Sequence, residues 1–462
     1  MSDDYSALRA AMHNSVTFLD KNRPFPVSPT PLLIPEREYD EICRDARQVL
    51  VALEKAIGIV SSDGSLWRHF PELHGLEDLV RFPGSTSRLI DLARFDLAIV
   101  KGGGVRMMET NAGCPGALTT VGDINQAFRA SAFFNAHIAG THVPLTVDNK
   151  FYFVDYLASL VDRGAPLNMA FISSKHRRIV TDLDRLTELA QERGYGAIRC
   201  DVQDLDYDGR QLTHKGTPVT VAYLKFDAVV TEAGDMDLGI YGPEAVRQPF
   251  LEAVRDGAFK YVNSFASQLL AENKRMLAML HTERVQRHLS SPEVDAIKRL
   301  VARTWSLSAD GLQQFGGRER LLHEKNQCVL KQVIESRGRG VHIGRHTSDA
   351  EWRELVASPT LDRYIVQEWV ELDRQEVLNP VFDDPGRFAA YTDMGLYMVG
   401  GEPAGFLCRA SHDPVVNVGK SGALRPTFVT NGSPRRTSIS ETTRMDSGGG
   451  THSERDLGGE PT

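Results

Sequence analysis

The chain has 462 residues, length enough for two or three domains, with the 41% hydrophobic and 25% charged content of an ordinary soluble globular protein. Its 53 basic and 61 acidic residues leave a formal charge of -8, which argues against a nucleic-acid binder, whose surface normally carries a basic surplus. Five scattered cysteines without C-x-x-C spacing, no basic start followed by an apolar run, and no stretch of about 18 apolar residues predict a cytoplasmic protein with reduced thiols, no signal peptide and no membrane span.

Residues 1–20 read as a short helix and 22–35 as a Pro-rich extended segment. Over 36–59 the apolar positions Ile42, Ala46, Val49, Leu50, Leu53 and Ile57 follow a helical period, ended by Ser61-Ser62-Asp63-Gly64. A polar and aromatic stretch leads to two apolar, β-prone runs, 95–100 and 105–108, which flank a glycine cluster and signal a hairpin. A two-residue turn at Gly102-Gly103 pairs Lys101 with Gly104, sets Asp96 across from Glu109 and Arg94 across from Asn111, and gathers all four on one face. The tight loop Ala-Gly-Cys-Pro-Gly-Ala at 112–117 is shaped to let a ligand approach the backbone, and a helix follows over 121–135.

A composition change near Asp148 opens a second unit. It reads as strand 168–173, helix 181–193, strand 197–202, a hairpin about Asp208-Gly209, strands 219–224 and 228–231, and mostly helix over 244–284 with a turn at Asn263-Ser264. Such alternation predicts a small open α/β domain. A third unit from about Ser290 carries helix 293–304, strand 327–333, a glycine- and arginine-rich loop over 335–345, helix 348–358 and strands 364–370, 388–399 and 405–410. Beyond about Asn431 apolar residues almost vanish, as in a disordered tail. The expected organisation is therefore 1–147, 148–289, 290–430 and a tail over 431–462.

Four stretches could carry chemistry. Two carboxylates facing each other on the hairpin repel unless a cation sits between them, and two carboxylates with an amide oxygen suit Mg²⁺. The same face also reads as the wet side of an ordinary hairpin. Lys331 precedes the loop containing Arg337, Arg339 and Arg345, which could wrap a polyphosphate, although the P-loop pattern is absent. Gln367-Glu368-Trp369-Val370 ends a strand, as a nucleotide-base hinge does, and Lys274 lies on an amphipathic helix.

Together, Arg94-x-Asp96, Glu109-x-Asn111, Lys274, Lys331 with its loop, and Gln367-Glu368 resemble a circularly permuted ATP-grasp ligase, similar to the synthetase domain of glutathionylspermidine synthase and its stand-alone homologues. The resemblance covers about 35–425. It implies an α/β (α+β) ATP-grasp fold with the small α/β domain inserted before the nucleotide-binding part. Asp96, Glu109 and Asn111 would hold Mg²⁺ against ATP, and Arg94 would act as the catalytic residue on the charged transition state. Lys274, Lys331, Arg337, Gly338, Gly340 and the hinge Gln367, Glu368, Trp369 and Val370 would bind ATP. Cys114, Ala117, Arg409 and Asn417 would face the carboxylate substrate. Two departures are visible: no amidase domain accompanies the synthetase, and Leu224-Lys225 stands where relatives often carry Arg after Tyr.

The expected chemistry joins a small-molecule carboxylate and an amine through an acyl phosphate, giving ADP and phosphate. A small-molecule kinase and a non-catalytic nucleotide-binding protein are the alternatives.

Overall fold

A computed structural model describes residues 26–82, 84–173, 181–226, 229–230, 236–237, 244–334, 340–378, 386–416 and 422–432. In chain order its main elements are β1 (Leu32–Pro35), α1 (Glu36–Ser62), β2 (Leu92–Ile99), β3 (Val105–Asn111), β4 (Asn168–Ser173), α2 (Thr181–Glu192), β5 (Gly196–Asp201), β6 (Val221–Lys225) and β7 (Lys260–Val262). They continue with α3 (Ser291–Leu300), β8 (Thr304–Ser306), β9 (Cys328–Gln332), β10 (Val341–Ile343), α4 (Asp349–Ala357), β11 (Tyr364–Glu368), β12 (Arg374–Leu378), β13 (Arg387–Val399), β14 (Glu402–Ser411), β15 (Ala423–Arg425) and β16 (Thr427–Thr430). No described helix is long and apolar enough to cross a membrane.

The helical period of α1 is used as written: Ile42, Ala46, Val49, Leu50, Leu53 and Ile57 are all buried. α1 shares this core with Ala296, Ile297 and Leu300 of α3, to which it is also tied by Lys55–Glu293 and Asp45–Arg299 ion pairs.

Three sheets matter for the site. The largest is antiparallel, in the order β15-β14-β13-β2-β3, with β12 also paired to β13. It joins the hairpin near the start of the chain to strands from its last hundred residues. The second is parallel, β7-β6-β4-β5. Met169, Ala170, Phe171 and Ile172 of β4 are completely buried, the continuous apolar run expected of a parallel strand covered on both faces. The third, β8-β11-β9-β10, is antiparallel and two-faced. Leu330 and Val366 pack on a small core with Trp352 of α4, whereas Ile365 and Val333 turn to the main core.

Several elements differ from the sequence expectation. The span 244–284 is interrupted by β7, a three-residue strand paired in parallel with β6. The helix expected over 293–304 stops at Leu300, because Thr304–Ser306 is drawn into pairing with β11. Two further helices, Ala309–Phe315 and Gly317–His323, cover the small core and have no counterpart in the sequence reading. The N-terminal helix and the C-terminal tail proposed from sequence fall on 1–20 and, for the tail, almost wholly on 433–462, outside the described residues.

Candidate functional site

The hairpin sets the geometry. Arg94 pairs with Asn111 and Asp96 with Glu109, so the four side chains share one face of the largest sheet. The turn is nevertheless one residue longer than the sequence suggests. Val100, not Lys101, pairs with Gly104, closing a three-residue loop of Lys101, Gly102 and Gly103. Gly102, Gly103 and Gly104 all have positive φ (92°, 108° and 79°), which a run of glycines permits. That slip carries through Ile99–Val105 and Leu97–Met107, and a β-bulge at Met108 then restores the register before Glu109. Two one-residue offsets cancel, and the pairs Arg94–Asn111 and Asp96–Glu109 stay opposite each other.

On this face the charges interlock. Arg94 donates from Nε to Asp96 Oδ1 (2.7 Å) and from Nη2 to Oδ2 (3.2 Å). Arg409 Nη2 lies 2.8 Å from Asp96 Oδ2 and 2.7 Å from Asp393 Oδ2. Burial alone would raise the Asp96 carboxyl, but Arg409 and Arg94 hold it well below the ordinary carboxylate range. Asp393 goes the other way: burial pushes it up to about 6 despite Arg409. Arg409 Nε and Asp393 Oδ1 are buried without a hydrogen-bond partner, leaving one unused donor and one unused acceptor in the cluster. Asn111 Nδ2 donates to the Arg94 carbonyl (3.3 Å), and Lys274 Nζ pairs with Glu109 Oε1 (2.8 Å).

Asp393, Gly395 and Tyr397 were absent from the sequence reading. They alternate along β13, where Gly395 pairs with Asp96 and Tyr397 with Arg94. A lone Asp two residues from a Gly within an otherwise apolar strand was the available signal.

The nucleotide-side candidates come from the third sheet. Lys331 on β9 and Gln367 on β11 are diagonal neighbours, since Val329 pairs with Gln367 and Lys331 with Ile365. Lys331 Nζ donates to Gln367 Oε1 (2.7 Å) and to the Met108 carbonyl (3.2 Å). Gln367 Nε2 donates to that same carbonyl (3.3 Å) and to Thr304 Oγ1 (3.0 Å). The Gln367 side chain is thus committed to Lys331. Burial lowers Lys331 to about 8, with Lys274 acting in the same direction and the Glu109 carboxylate opposing it.

Glu368 caps the preceding segment, accepting from the Arg303 amide at Oε1 (2.9 Å), and the Trp369 amide donates to the Gln327 carbonyl (2.8 Å). Arg345 stacks over the Trp369 ring at 5.3 Å, and Val370 directly follows. Gly340 has φ +63° and an added Cβ would meet Gln332 Oε1 at 2.6 Å, so this end of the arginine-rich loop is tightly bound to β9. Arg337, Gly338 and Asn417 lie outside the described residues.

The 112–117 loop is gripped from four sides. Glu272 accepts from the amides of Ala112 (2.6 Å) and Gly113 (2.8 Å). Tyr397 donates to the Gly116 carbonyl (2.6 Å). Ala117, at φ +66°, donates its amide to Asp182 Oδ2 (2.8 Å), and the buried Lys225 lies 3.4 Å from that oxygen and 3.5 Å from the Cys114 carbonyl. Lys225, noted from sequence only as a departure, therefore helps shape this loop from β6.

The oxygen donors Asp96, Glu109 and Asn111 share a face, and that chemistry fits Mg²⁺, a hard cation that keeps several non-protein ligands. Among the described residues no group of three or more His, Cys, Asp or Glu side chains is arranged to hold a metal ion.

The scaffold is of a kind seen in glutathione synthetase-like proteins. In particular, the chain is similar to a glutathione synthetase-like effector from Globodera pallida solved in its apo form, with a TM-score of 0.59 and 13% identity, over 93% of this chain and 96% of that one. At this identity the likeness concerns the fold alone. Looser alignments are to a gamma-glutamylcysteine synthetase candidate from Methylobacillus flagellatus KT (TM-score 0.40, 12% identity, 79% of this chain and 82% of that one) and to D-alanyl-alanine synthetase A from Vibrio cholerae (0.30, 8%, 50% and 68%). No family model matches the chain, and no curated protein matches it.

Proposed function

We propose that this chain is an ATP-dependent carboxylate–amine ligase of the circularly permuted ATP-grasp type, with nucleotide held between the largest sheet and the β8-β11-β9-β10 sheet. The observation that carries the reading is the meeting of Lys331 and Lys274 with the Arg94, Asp96, Glu109 and Asn111 face: Lys274 touches Glu109, and Lys331 binds the carbonyl of the residue beside it. In this reading the largest sheet, built from 92–111 and 374–425, is one wall and the β8-β11-β9-β10 sheet the other, while 148–289 contributes Lys274 and, through Lys225, the support of the 112–117 loop.

The chemical difficulty is charge, because a carboxylate anion must attack a polyanion. A substrate carboxylate oxygen attacks the γ-phosphorus and the bond to the β-phosphate oxygen breaks, releasing ADP. The amine nitrogen then attacks the acyl carbon and loses its proton, and the bond from carbon to the phosphate oxygen breaks. Mg²⁺ held by Asp96, Glu109 and Asn111 would supply charge neutralisation at the phosphates. Lys331 and Lys274 meet the phosphate oxygens as point charges. Arg94, held rigid by Asp96, would stabilise the charge that develops on the acyl phosphate, and Arg409 braces Asp96 from β14. The 112–117 loop, fixed by Glu272, Tyr397, Asp182 and Lys225, positions the carboxylate substrate.

The test is ADP and phosphate release by the purified protein with Mg·ATP and a panel of small acids and amines. A ligase needs both substrates and yields free phosphate; a kinase makes a phosphorylated product without amine. Asp96→Asn should lower turnover about 10²–10³-fold. Full turnover in that variant would remove Asp96 from the metal set.

A further inference from the structure

We infer that Gln367 is a positioning residue that clasps Lys331 to the β-bulge at Met108, joining the nucleotide-side sheet to the hairpin. The inference rests on the ligase reading for its functional meaning, but its geometry stands apart from it. Every polar atom of the Gln367 side chain is used: Oε1 accepts from Lys331 Nζ, and Nε2 is shared between the Met108 carbonyl and Thr304 Oγ1. The residue is 1% exposed, so this amide has no access to a nucleotide base in solution. Lys331 Nζ donates to the same Met108 carbonyl, which makes a closed triangle of lysine, amide and bulge carbonyl. Met108 is the extra residue of β3, and the bulge is what turns a main-chain carbonyl out toward a second sheet.

The consequence is mechanical. An isolated lysine has four rotatable side-chain bonds, and an ammonium that roams loses binding energy on each phosphate contact. Two fixed acceptors hold this one beside Glu109, while leaving the third N–H for a ligand oxygen. The other charged groups acting on Lys331 are Glu109, Lys274, Asp96 and Asp393, all on or beside the hairpin face. None of them is altered by changing Gln367.

The experiment uses the full chain and two variants of near-equal size. Gln367→Glu replaces the acceptor by a carboxylate, and Gln367→Met removes both polar ends. Lys331 is followed by its rate of acylation with a small amine-reactive reagent against pH, read at the Lys331 peptide by mass spectrometry. The midpoint should rise by about one pH unit in Gln367→Glu and fall in Gln367→Met, because an anion favours the ammonium and a lost acceptor disfavours it. Mg·ATP affinity, measured by calorimetry, should weaken about tenfold in Gln367→Met and be partly retained in Gln367→Glu.

A merely structural glutamine would move thermal stability in both variants without opposite-signed midpoint shifts. Shifts of the same sign, or none, overturn the clasp. Thr304→Val, which leaves Gln367 and Lys331 in place but frees the amide to turn, should lower the midpoint in the same direction as Gln367→Met, and serves where the larger changes impair folding. If the parent protein fails to bind Mg·ATP, the ligase reading fails, and the acylation midpoints still decide the clasp.

Discussion

An added Cβ at Gly395 would come within 2.7 Å of Arg94 Cδ and 3.1 Å of its Nε, so the missing side chain is what lets Arg94 lie along the sheet to reach Asp96. Gly395→Ala should therefore cost about 1–3 kcal/mol in denaturant unfolding through overpacking and lower turnover about tenfold or more by tilting the guanidinium. Loss of stability without loss of turnover would show that the Arg94 orientation is not critical. The Arg94–Asp96–Arg409–Asp393 cluster alternates cation and anion, so the removal of one member leaves a partner desolvated and unpaired. Asp91, at the entrance to β2, is a second buried carboxyl. It accepts from Tyr156 (2.5 Å) and Thr86 (2.9 Å), and burial raises it to about 6 from 3.8. A carboxyl raised in the folded state favours folding where it is protonated, so its contribution is lost as pH rises from about 4 through 6. Asp91→Asn should remove that slope, and the variant should gain roughly 2 kcal/mol on the parent between pH 4.5 and 7.5, read by chemical denaturation.

At the scale of elements the bulge in β3 does two tasks. It corrects the register after a three-residue turn, and it presents the Met108 carbonyl to Lys331 and Gln367. These tasks separate in a deletion of Met108. With the bulged residue gone, the ladder set by the turn continues unbroken, and Asp96 still faces Glu109. The expected outcome is a folded protein with unchanged far-ultraviolet circular dichroism and Mg·ATP affinity lowered about tenfold, since Lys331 loses one fixed acceptor. Undiminished affinity would mean that the bulge serves register alone. The hairpin itself was legible because glycines at 102–104 and apolar runs beside them are local signals. The bulge was not, because nothing in Arg-Met-Met-Glu marks an extra residue; its reason is a lysine more than two hundred positions away.

For the whole molecule, the largest sheet takes its hairpin strands from 92–111 and its remaining strands from 374–425, so the face that carries the site exists only once the two ends of the chain have met. The β8-β11-β9-β10 sheet has its own small core around Leu330, Val366 and Trp352, and reaches the hairpin through Lys331 and Gln367. A ligand that bridges both sheets should stabilise the assembly as one unit. Mg·ATP at about one hundred times its dissociation constant should add about 2.7 kcal/mol, visible as a rise in Tm. Lys331→Ala should abolish that rise, and the unliganded Tm should fall as well, because Gln367 Oε1 is left buried without its donor. A Tm rise that survives in Lys331→Ala would place the nucleotide elsewhere.

Much of the local geometry around the candidate face could be read in the chain. Strand periodicity alone puts Arg94 with Asp96 and Glu109 with Asn111, whereas the two pairs share a face because the bulge at Met108 offsets the longer turn. The helical period of α1 and the apolar run of β4 are equally local. What could not be read is which distant residues complete the face. Asp393 and Gly395 gain their meaning only from pairing of β13 with β2, and Lys225 only from the packing of β6 under the 112–117 loop. Gln367 has the same limit: its sequence neighbourhood suggests a hinge, and folding turns its amide inward to Lys331. Local geometry follows from residue type and order, whereas the partner of a buried polar group follows from which surfaces must close to exclude water.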